Sequence, residues 1–301
     1  MHNHNHNHSN HGQHKAMSLN RIFQFGIILN LSFVIVEFIM GFLFDSVGLL
    51  SDAGHNMSDV VSLVLAMLAF RLSKAHANKK YTYGYKKVTI LVSLVNAIIL
   101  IIAVIFIVVE SIEKIMTPQT INGATVVWTA AVGVIINAAT AWFFVRDKNK
   151  DLNIKGAYLH MTADALVSVG VVISGIIIMT TGWSLIDPLI GLVIAIVIVI
   201  STWSLLRESL NLSIDGVPSN INYETIERII KSDNDIKDIH HLHIWALSTT
   251  SNALTAHIVL EDMNKMETVK TNIRQLLHNA GIDHATLEFE PENTNCENEC
   301  D

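Results

Sequence analysis

Cysteine is almost missing from this chain. Two residues in 301, Cys296 and Cys300, are all there is, and both fall in the last six positions. A disulfide-stapled secreted scaffold cannot be built on them. Proline occurs four times, which excludes a collagen-like or proline-rich disordered chain. Charged residues supply 16% of the sequence, against about 25% in an ordinary soluble domain. Positive charge is short as well: the net charge is −7, which argues against nucleic acid as the main partner. No P-loop occurs, so nucleotide hydrolysis is not the expected drive. No H-E-x-x-H occurs either. What is abundant is apolar side chain, half of the residues.

The charge is divided unevenly. Residues 211–301 carry 16 acids and 6 bases, net −10, whereas residues 1–210 carry 11 acids and 14 bases, net +3. One chain thus holds an apolar, slightly basic part and a polar, acidic part.

A membrane span needs about 20 mostly apolar residues to cross about 30 Å of hydrocarbon. Six stretches qualify: Ile22–Leu43, Leu49–Leu72, Val88–Val109, Val126–Val145, Ala157–Met179 and Leu185–Leu206. A soluble helix keeps a polar face, and Val88–Val109, with Ser93 and Asn96 among its few polar residues, has none. The first stretch is too long for a signal peptide and leads straight into the second. Lys and Arg set the orientation. The 71–87 linker carries Arg71, Lys74, Lys79, Lys80, Lys86 and Lys87, and the 146–155 linker carries Arg146, Lys148, Lys150 and Lys155. The intervening linkers have almost none. The basic linkers therefore face the cytoplasm. Six spans put both termini there too, and the expectation is a multi-pass protein of the cell membrane folded as a six-helix bundle.

Past Arg207 the pattern changes. Asp215-Gly216-Val217-Pro218 reads as a turn that stops the sixth helix. Asn222 can cap a helix over Tyr223–Lys231. Ile236–Leu247 and Ala253–Leu260 read as strands with a turn at Ser251-Asn252. Met266–Ala280 has helical spacing with Gly281 as its stop, and Ala285–Phe289 is a third short strand. The expectation is an α-helical membrane domain over 21–210 and a small α+β domain of order αββαβ over 211–290. A His-rich arm (1–20) and an acidic tail with the two cysteines (291–301) flank them. Histidines 2, 4, 6, 8, 11 and 14 suit loose metal capture or an affinity tag. Cys296 and Cys300 form a thiol pair that could take a metal.

Ionisable groups are costly in a bilayer, about 2.5–3.5 kcal/mol for an Asp at mid-span on insertion scales. The second span holds His55-Asn56-Met57-Ser58-Asp59 and the fifth holds His160-Met161-Thr162-Ala163-Asp164, both H-x-x-x-D. Residues i and i+4 share a helix face. Two such faces opposed gather two imidazoles and two carboxylates, a donor set that suits tetrahedral Zn²⁺ better than an all-oxygen Mg²⁺ or Mn²⁺ cage or a Cu(I) thiolate site. The alternative is a pair of internal His–Asp contacts that only neutralise each other. Asn30, Glu37, Asp52, Asn137 and Asp187 read either as support for such a site or as helix-to-helix hydrogen bonds and interfacial residues.

In the polar part His240, His241 and His243 share a strand, with 241 and 243 facing one way and 240 the other. His257 lies on the next strand, and His284, Glu288 and Glu290 lie near the third. A metal site and a solvated acidic sheet face both fit that pattern.

Together these stretches resemble the cation diffusion facilitators, specifically the zinc-type branch. The likeness rests on Ser51–Asp59, Tyr81-Thr82-Tyr83-Gly84-Tyr85, His160–Asp164, Asp215-Gly216-Val217-Pro218 and His243–Ser248, and covers about Arg21 to Glu290. It implies a homodimer with six spans per protomer and a metallochaperone-like cytoplasmic domain, exporting divalent metal in exchange for protons. It implies that His55, Asp59, His160 and Asp164 form the transport site, with His at the first position favouring Zn²⁺ over Cd²⁺. It implies metal ligands at His240, His257 and Glu290, with Glu288 and His284 in a segment that varies. The resemblance also has a linker site between the second and third spans; here His76 is that linker's one histidine. Zn²⁺ is thus expected as substrate and as a structural or regulatory ion, with no organic cofactor and no enzymatic activity.

Proton coupling follows from ligand chemistry. Zn²⁺ takes neutral imidazole and ionised carboxylate, so binding releases protons. With a reference pKa of about 6.5, imidazoles exposed to an acidic outer compartment can regain them and expel the metal. Two other functions use the same residues. An intramembrane zinc hydrolase would keep one coordination position for water, and a sensor or buffer would bind zinc without moving it.

Overall fold

The computed structural model describes residues 19–43, 47–117, 123–183 and 185–292. The His-rich arm and Cys296 and Cys300 lie outside them, as do the side chains of Asp52, His55 and Asp187.

Long apolar helices come first: α1 (Leu19–Leu43), α2 (Val47–Leu72), α3 (Val88–Met116), α4 (Gly123–Val145), α5 (Leu152–Thr181) and α6 (Ile186–Ser213). Among the described residues four of them, α1, α3, α5 and α6, are long and apolar enough to cross a membrane. α2 carries the polar run from Ser51 to Asp59, and the apolar described part of α4 is the shorter stretch Ala130–Val145. The outward faces are apolar: Phe42, Phe106, Trp128, Ile135, Trp142 and Ile200 are all exposed. A water-soluble bundle would hide those side chains, whereas a bilayer solvates them.

α1 lies along α2, α3 along α6, and α4 along α5, with α5 also against α6. Phe23, Leu63, Phe144, Ile154 and Met161 fill the contact between α1, α2, α4 and α5. Gly170 brings α5 close to α6, since a Cβ there would stand 2.5 Å from Ile194 Cδ1.

Two helix ends differ from the apolar pattern. α5 begins at Leu152 rather than Ala157 because Asp151 caps it, its carboxylate accepting from Asn153 N (2.7 Å) and Ile154 N (3.4 Å). α6 continues past Leu206 to Ser213 and ends where Asp215 takes a positive φ of 61°.

The remaining chain forms α7 (Tyr223–Ile230), β1 (Ile236–Ser248), β2 (Ser251–Leu260), a 3₁₀ turn (Met263–Lys265), α8 (Met266–Asn279) and β3 (His284–Pro291), the expected αββαβ order. Asn222 caps α7 by accepting from Thr225 N (2.7 Å). The sheet order is β1-β2-β3. β1 and β2 are antiparallel, β2 and β3 parallel, and α8 makes the crossover that a parallel pair requires. Ile244, Leu254 and Ile258 meet Ile226, Ile230, Ile273 and Leu277 in its core.

Two expectations fail here. The β1–β2 turn is Thr249-Thr250, not Ser251-Asn252, because Ser251 already pairs with Ser248. The alternation of the β1 histidines also fails. The register slips between His240 and His243, and His241 has φ 50°. Such a bulge re-aims the side chains beside it.

The hairpin tip rests on the helix bundle. Thr249 N donates to Thr89 Oγ1 (3.1 Å) and Thr249 Oγ1 donates to Asp151 Oδ2 (2.6 Å). Lys87 pairs with Asp215, and Tyr83 meets the His284 ring edge-on at 5.6 Å. The basic linker between α2 and α3 therefore touches the acidic domain, the electrostatic counterpart of the charge split in the sequence.

Candidate metal centre

Among the described residues two groups of three side chains are placed to hold a metal ion: Asp59, His160 and Asp164, and His240, His257 and Glu290. His76 belongs to neither.

The first group lies inside the helix bundle. α2 supplies Asp59 and α5 supplies His160 and Asp164. His160 Nε2 lies 2.7 Å from Asp59 Oδ1 and 3.7 Å from Asp164 Oδ2. One ligand atom from each lies within 4.8 Å of the others. Asp59 and His160 are buried and Asp164 is half-buried. The i, i+4 spacing accounts for His160 and Asp164 on one face, and the contact of α2 with α5 adds Asp59 from 101 positions away. His55 is four residues before Asp59 on α2, so its backbone follows the same spacing.

Behind this group is a polar frame. Asn56 Nδ2 donates to Glu37 Oε2 (2.8 Å), tying α2 to α1. Asn30 Nδ2 donates to Thr140 Oγ1 (3.0 Å) and to Gly26 O (2.9 Å), tying α1 to α4. Both members of each pair are buried. Of the two readings open for Asn30 and Glu37, helix-to-helix hydrogen bonding is what these contacts make. Through Asn56, the neighbour of His55, the Glu37 contact also braces the ligand-bearing segment.

The second group lies on the sheet. His257 Nδ1 meets Glu290 Oε1 at 2.6 Å, and His240 Nε2 lies 3.4 Å from Glu290 Oε2. His257 Nε2 lies 3.5 Å from Glu288. These positions follow from register: His240 pairs with His257 across β1 and β2, and Glu288 pairs with His257 across β2 and β3. The rings of His240, His241 and His257 stand 5.1–5.2 Å apart. His241 was expected on the opposite face from His240; the bulge brings it to the same cluster. His284 does not join: it pairs with Ala253 at the other end of β3 and faces Tyr83. His243 is exposed opposite Thr255.

The arrangement allows simple chemistry. Three N and O donors from two separate helices can close around one borderline divalent ion, and the sheet can hold a second ion near water. Neither group offers a described thiolate.

Comparison with known proteins covers both parts of the chain. Residues 24–212 match the cation efflux transmembrane domain, and residues 218–292 match the cytoplasmic domain of cation efflux proteins. The cadmium, cobalt and zinc/H(+)-K(+) antiporter of Bacillus subtilis is 35% identical over 290 residues, 95% of this chain and 93% of that protein. The metal cation efflux system protein CzcD of Cupriavidus metallidurans is 35% identical over 272 residues, covering 90% and 86%. The zinc transporter ZitB of Escherichia coli is 31% identical over 272 residues, covering 89% and 86%. A multi-pass helical domain, a small α/β domain and these likenesses lead to one conclusion: the chain belongs to the zinc-type branch of the cation diffusion facilitators, a family of metal cation efflux transporters and not of enzymes.

Proposed function

We propose that this protein exports Zn²⁺, and with it Cd²⁺ and Co²⁺, from the cytoplasm in exchange for protons. The ion is held by Asp59, His160 and Asp164 together with His55. The observation that carries this reading is the convergence of Asp59 and His160 from two different helices in the bundle interior, 2.7 Å apart. Named relatives that exchange cadmium, cobalt and zinc for H⁺ and K⁺ lend it support.

The cycle follows from competition between proton and metal for the same atoms. On the cytoplasmic side protons held by His160, Asp59 or Asp164 leave as the ion binds, and the ligands hold it as neutral imidazole and ionised carboxylates. When the site opens outward, protons return to these ligands and the ion leaves. Because the ligands come from α2 and α5, a relative shift of the two helices loosens the site without breaking either helix. All six helices span the membrane, with both termini cytoplasmic. The cytoplasmic domain binds zinc at His240, His257 and Glu290, with Glu288 beside them, and contributes to a homodimer. His284 remains outside both centres in this reading.

The test is zinc flux in sealed vesicles under an imposed pH gradient. Flux that follows the gradient and stops when it is collapsed agrees with the proposal. Flux that continues unchanged after collapse refutes proton coupling.

A further inference from the structure

The outer surface of α6 is one apolar stripe. Leu189, Val193, Ile196, Ile200 and Trp203 follow one another at three- and four-residue steps, and all are exposed. From Leu189 to Trp203 the helix rises about 21 Å, most of the hydrocarbon thickness of a bilayer. The stripe ends on an indole. Arg207 follows one turn later on the same face and is also exposed. An indole suits the edge of the hydrocarbon, and a long cation reaches into the headgroup layer beyond it. On the neighbouring α5, Leu166, Val169, Ile173 and Ile176 form a second exposed stripe. Lys155 stands on that face, three turns before Leu166.

Lys155 and Arg207 meet at the end of the bundle where Asp151 receives the hairpin of the cytoplasmic domain. Lys155 Nζ donates to Ser204 Oγ of α6 at 3.0 Å. Ser204 is the neighbour of Trp203 and lies one turn before Arg207. Among the described residues neither Lys155 nor Arg207 forms an ion pair. The acids closest in sequence are engaged elsewhere. Asp147 pairs with Lys150, Asp151 caps α5, and Glu208 accepts from Ser219 N (3.1 Å). Two cations and a hydroxyl from two helices thus gather beside an indole with no acid to neutralise them.

We propose that this α5–α6 corner holds the phosphate of an anionic phospholipid, whose acyl chains lie along the two apolar stripes. The donors fit the ligand: an ammonium, a guanidinium and a hydroxyl offer several N–H and O–H groups to phosphate oxygens. A zwitterionic headgroup would bring its own ammonium against the same two cations, so net negative lipid is preferred. A free phosphate has the charge but no chains to reach the stripes. Basic residues that only set orientation need neither a hydroxyl between them nor a second helix. A lipid seated here joins α5 to α6 beside the hairpin contact.

The test uses the full-length protein in vesicles of equal parts phosphatidylglycerol and phosphatidylcholine. One or the other lipid carries bromine on its acyl chains near the headgroup, which quenches nearby indoles. The signal of Trp203 is the emission of the wild type less that of Trp203→Phe. Brominated phosphatidylglycerol should quench it more strongly, corresponding to a preference of about tenfold for the anionic lipid. Lys155→Gln with Arg207→Gln should abolish the preference, and each single change should lower it about threefold. Lys155→Arg with Arg207→Lys should keep it, as should Lys79→Gln in the exposed linker. The single variants carry the comparison where the double variant does not insert. Equal quenching by the two lipids in the wild type overturns the proposal. So does a preference that survives the loss of both cations, or one that Lys79→Gln lowers as much, since attraction by net charge then accounts for it. Inorganic phosphate that removes the preference when added to the buffer assigns the corner to a soluble anion and overturns the lipid.

Discussion

The two candidate metal clusters use the same kinds of side chain in opposite settings. In the bundle, Asp59, His160 and Asp164 are brought together by helices that are far apart in sequence and touch only by packing. On the sheet, His240, His257 and Glu290 are fixed by hydrogen-bonded register, each strand holding the next. Two members of the sheet cluster, His240 and His257, remain half-exposed, whereas Asp59 and His160 are buried. A ligand set carried by sliding helices can be assembled and dispersed. A set carried by paired strands cannot be dispersed without breaking the sheet. The first suits movement of an ion, the second retention of one. On the proposed reading, transport belongs to the helices and zinc-dependent stabilisation to the domain.

The largest expected effect breaks the helical cluster. Asp164→Ala should reduce zinc flux in vesicles to that of protein-free vesicles while the protein still inserts, and zinc resistance in cells should vanish with it. Normal resistance in cells carrying this variant removes Asp164 from the site.

A smaller effect concerns the frame behind the ligands. Asn56→Ala deletes the bond to Glu37 that ties α2 to α1. Loss of such a supporting contact costs about 10- to 100-fold in metal affinity, to be read as a raised zinc concentration for half-maximal flux. An unchanged half-maximal concentration means the α1–α2 contact is structural only. His55→Asp keeps four ligands but trades an imidazole for a carboxylate, so selectivity should loosen toward Cd²⁺ and Mn²⁺. Metal preference that stays the same in competition assays takes His55 out of the coordination sphere.

The smallest effect on flux comes from the sheet. His257→Ala should leave zinc flux measurable and remove the zinc-dependent rise in thermal stability of the domain. That rise is about 2.7 kcal/mol when free zinc is a hundredfold above its dissociation constant. Calorimetry of the full-length variant that still shows the whole zinc-induced shift contradicts the assignment of this cluster.

How much of this was legible in the sequence follows from the same contrast. H-x-x-x-D in two apolar stretches is readable because helical spacing fixes which residues share a face. The pairing of α2 with α5 is only implied by the repetition of the motif; the structure supplies it at 2.7 Å. The αββαβ order was readable from apolar periodicity and the Asn222 and Gly281 signals. The bulge at His241 was not, because alternation along a strand assumes unbroken register, and a left-handed residue at position 241 leaves no mark in composition. The turn at Thr249-Thr250 was missed because Ser-Asn is the stronger turn signal in isolation, yet those residues pair within the sheet. The contact of Thr249 with Asp151 joins residues 98 positions apart, and no local pattern announces it. Asp151 could have been found as the cap of α5, since an Asp one residue before a helical run is a recognised start signal. The apolar stretch taken as the span begins only at Ala157 and so leaves out this polar first turn.

The central claim is that Asp59, His160 and Asp164 share one ion, and zinc stoichiometry tests it most directly. Full-length protein carrying His257→Ala and Glu290→Ala, which disable the sheet cluster, is loaded with zinc, washed, and assayed for metal per chain. The account predicts one zinc per chain, held by nitrogen and oxygen ligands at about 2.0–2.2 Å in X-ray absorption, and its loss when Asp59→Ala is added. Zinc retained in full, with unchanged ligand distances, after Asp59→Ala would contradict it.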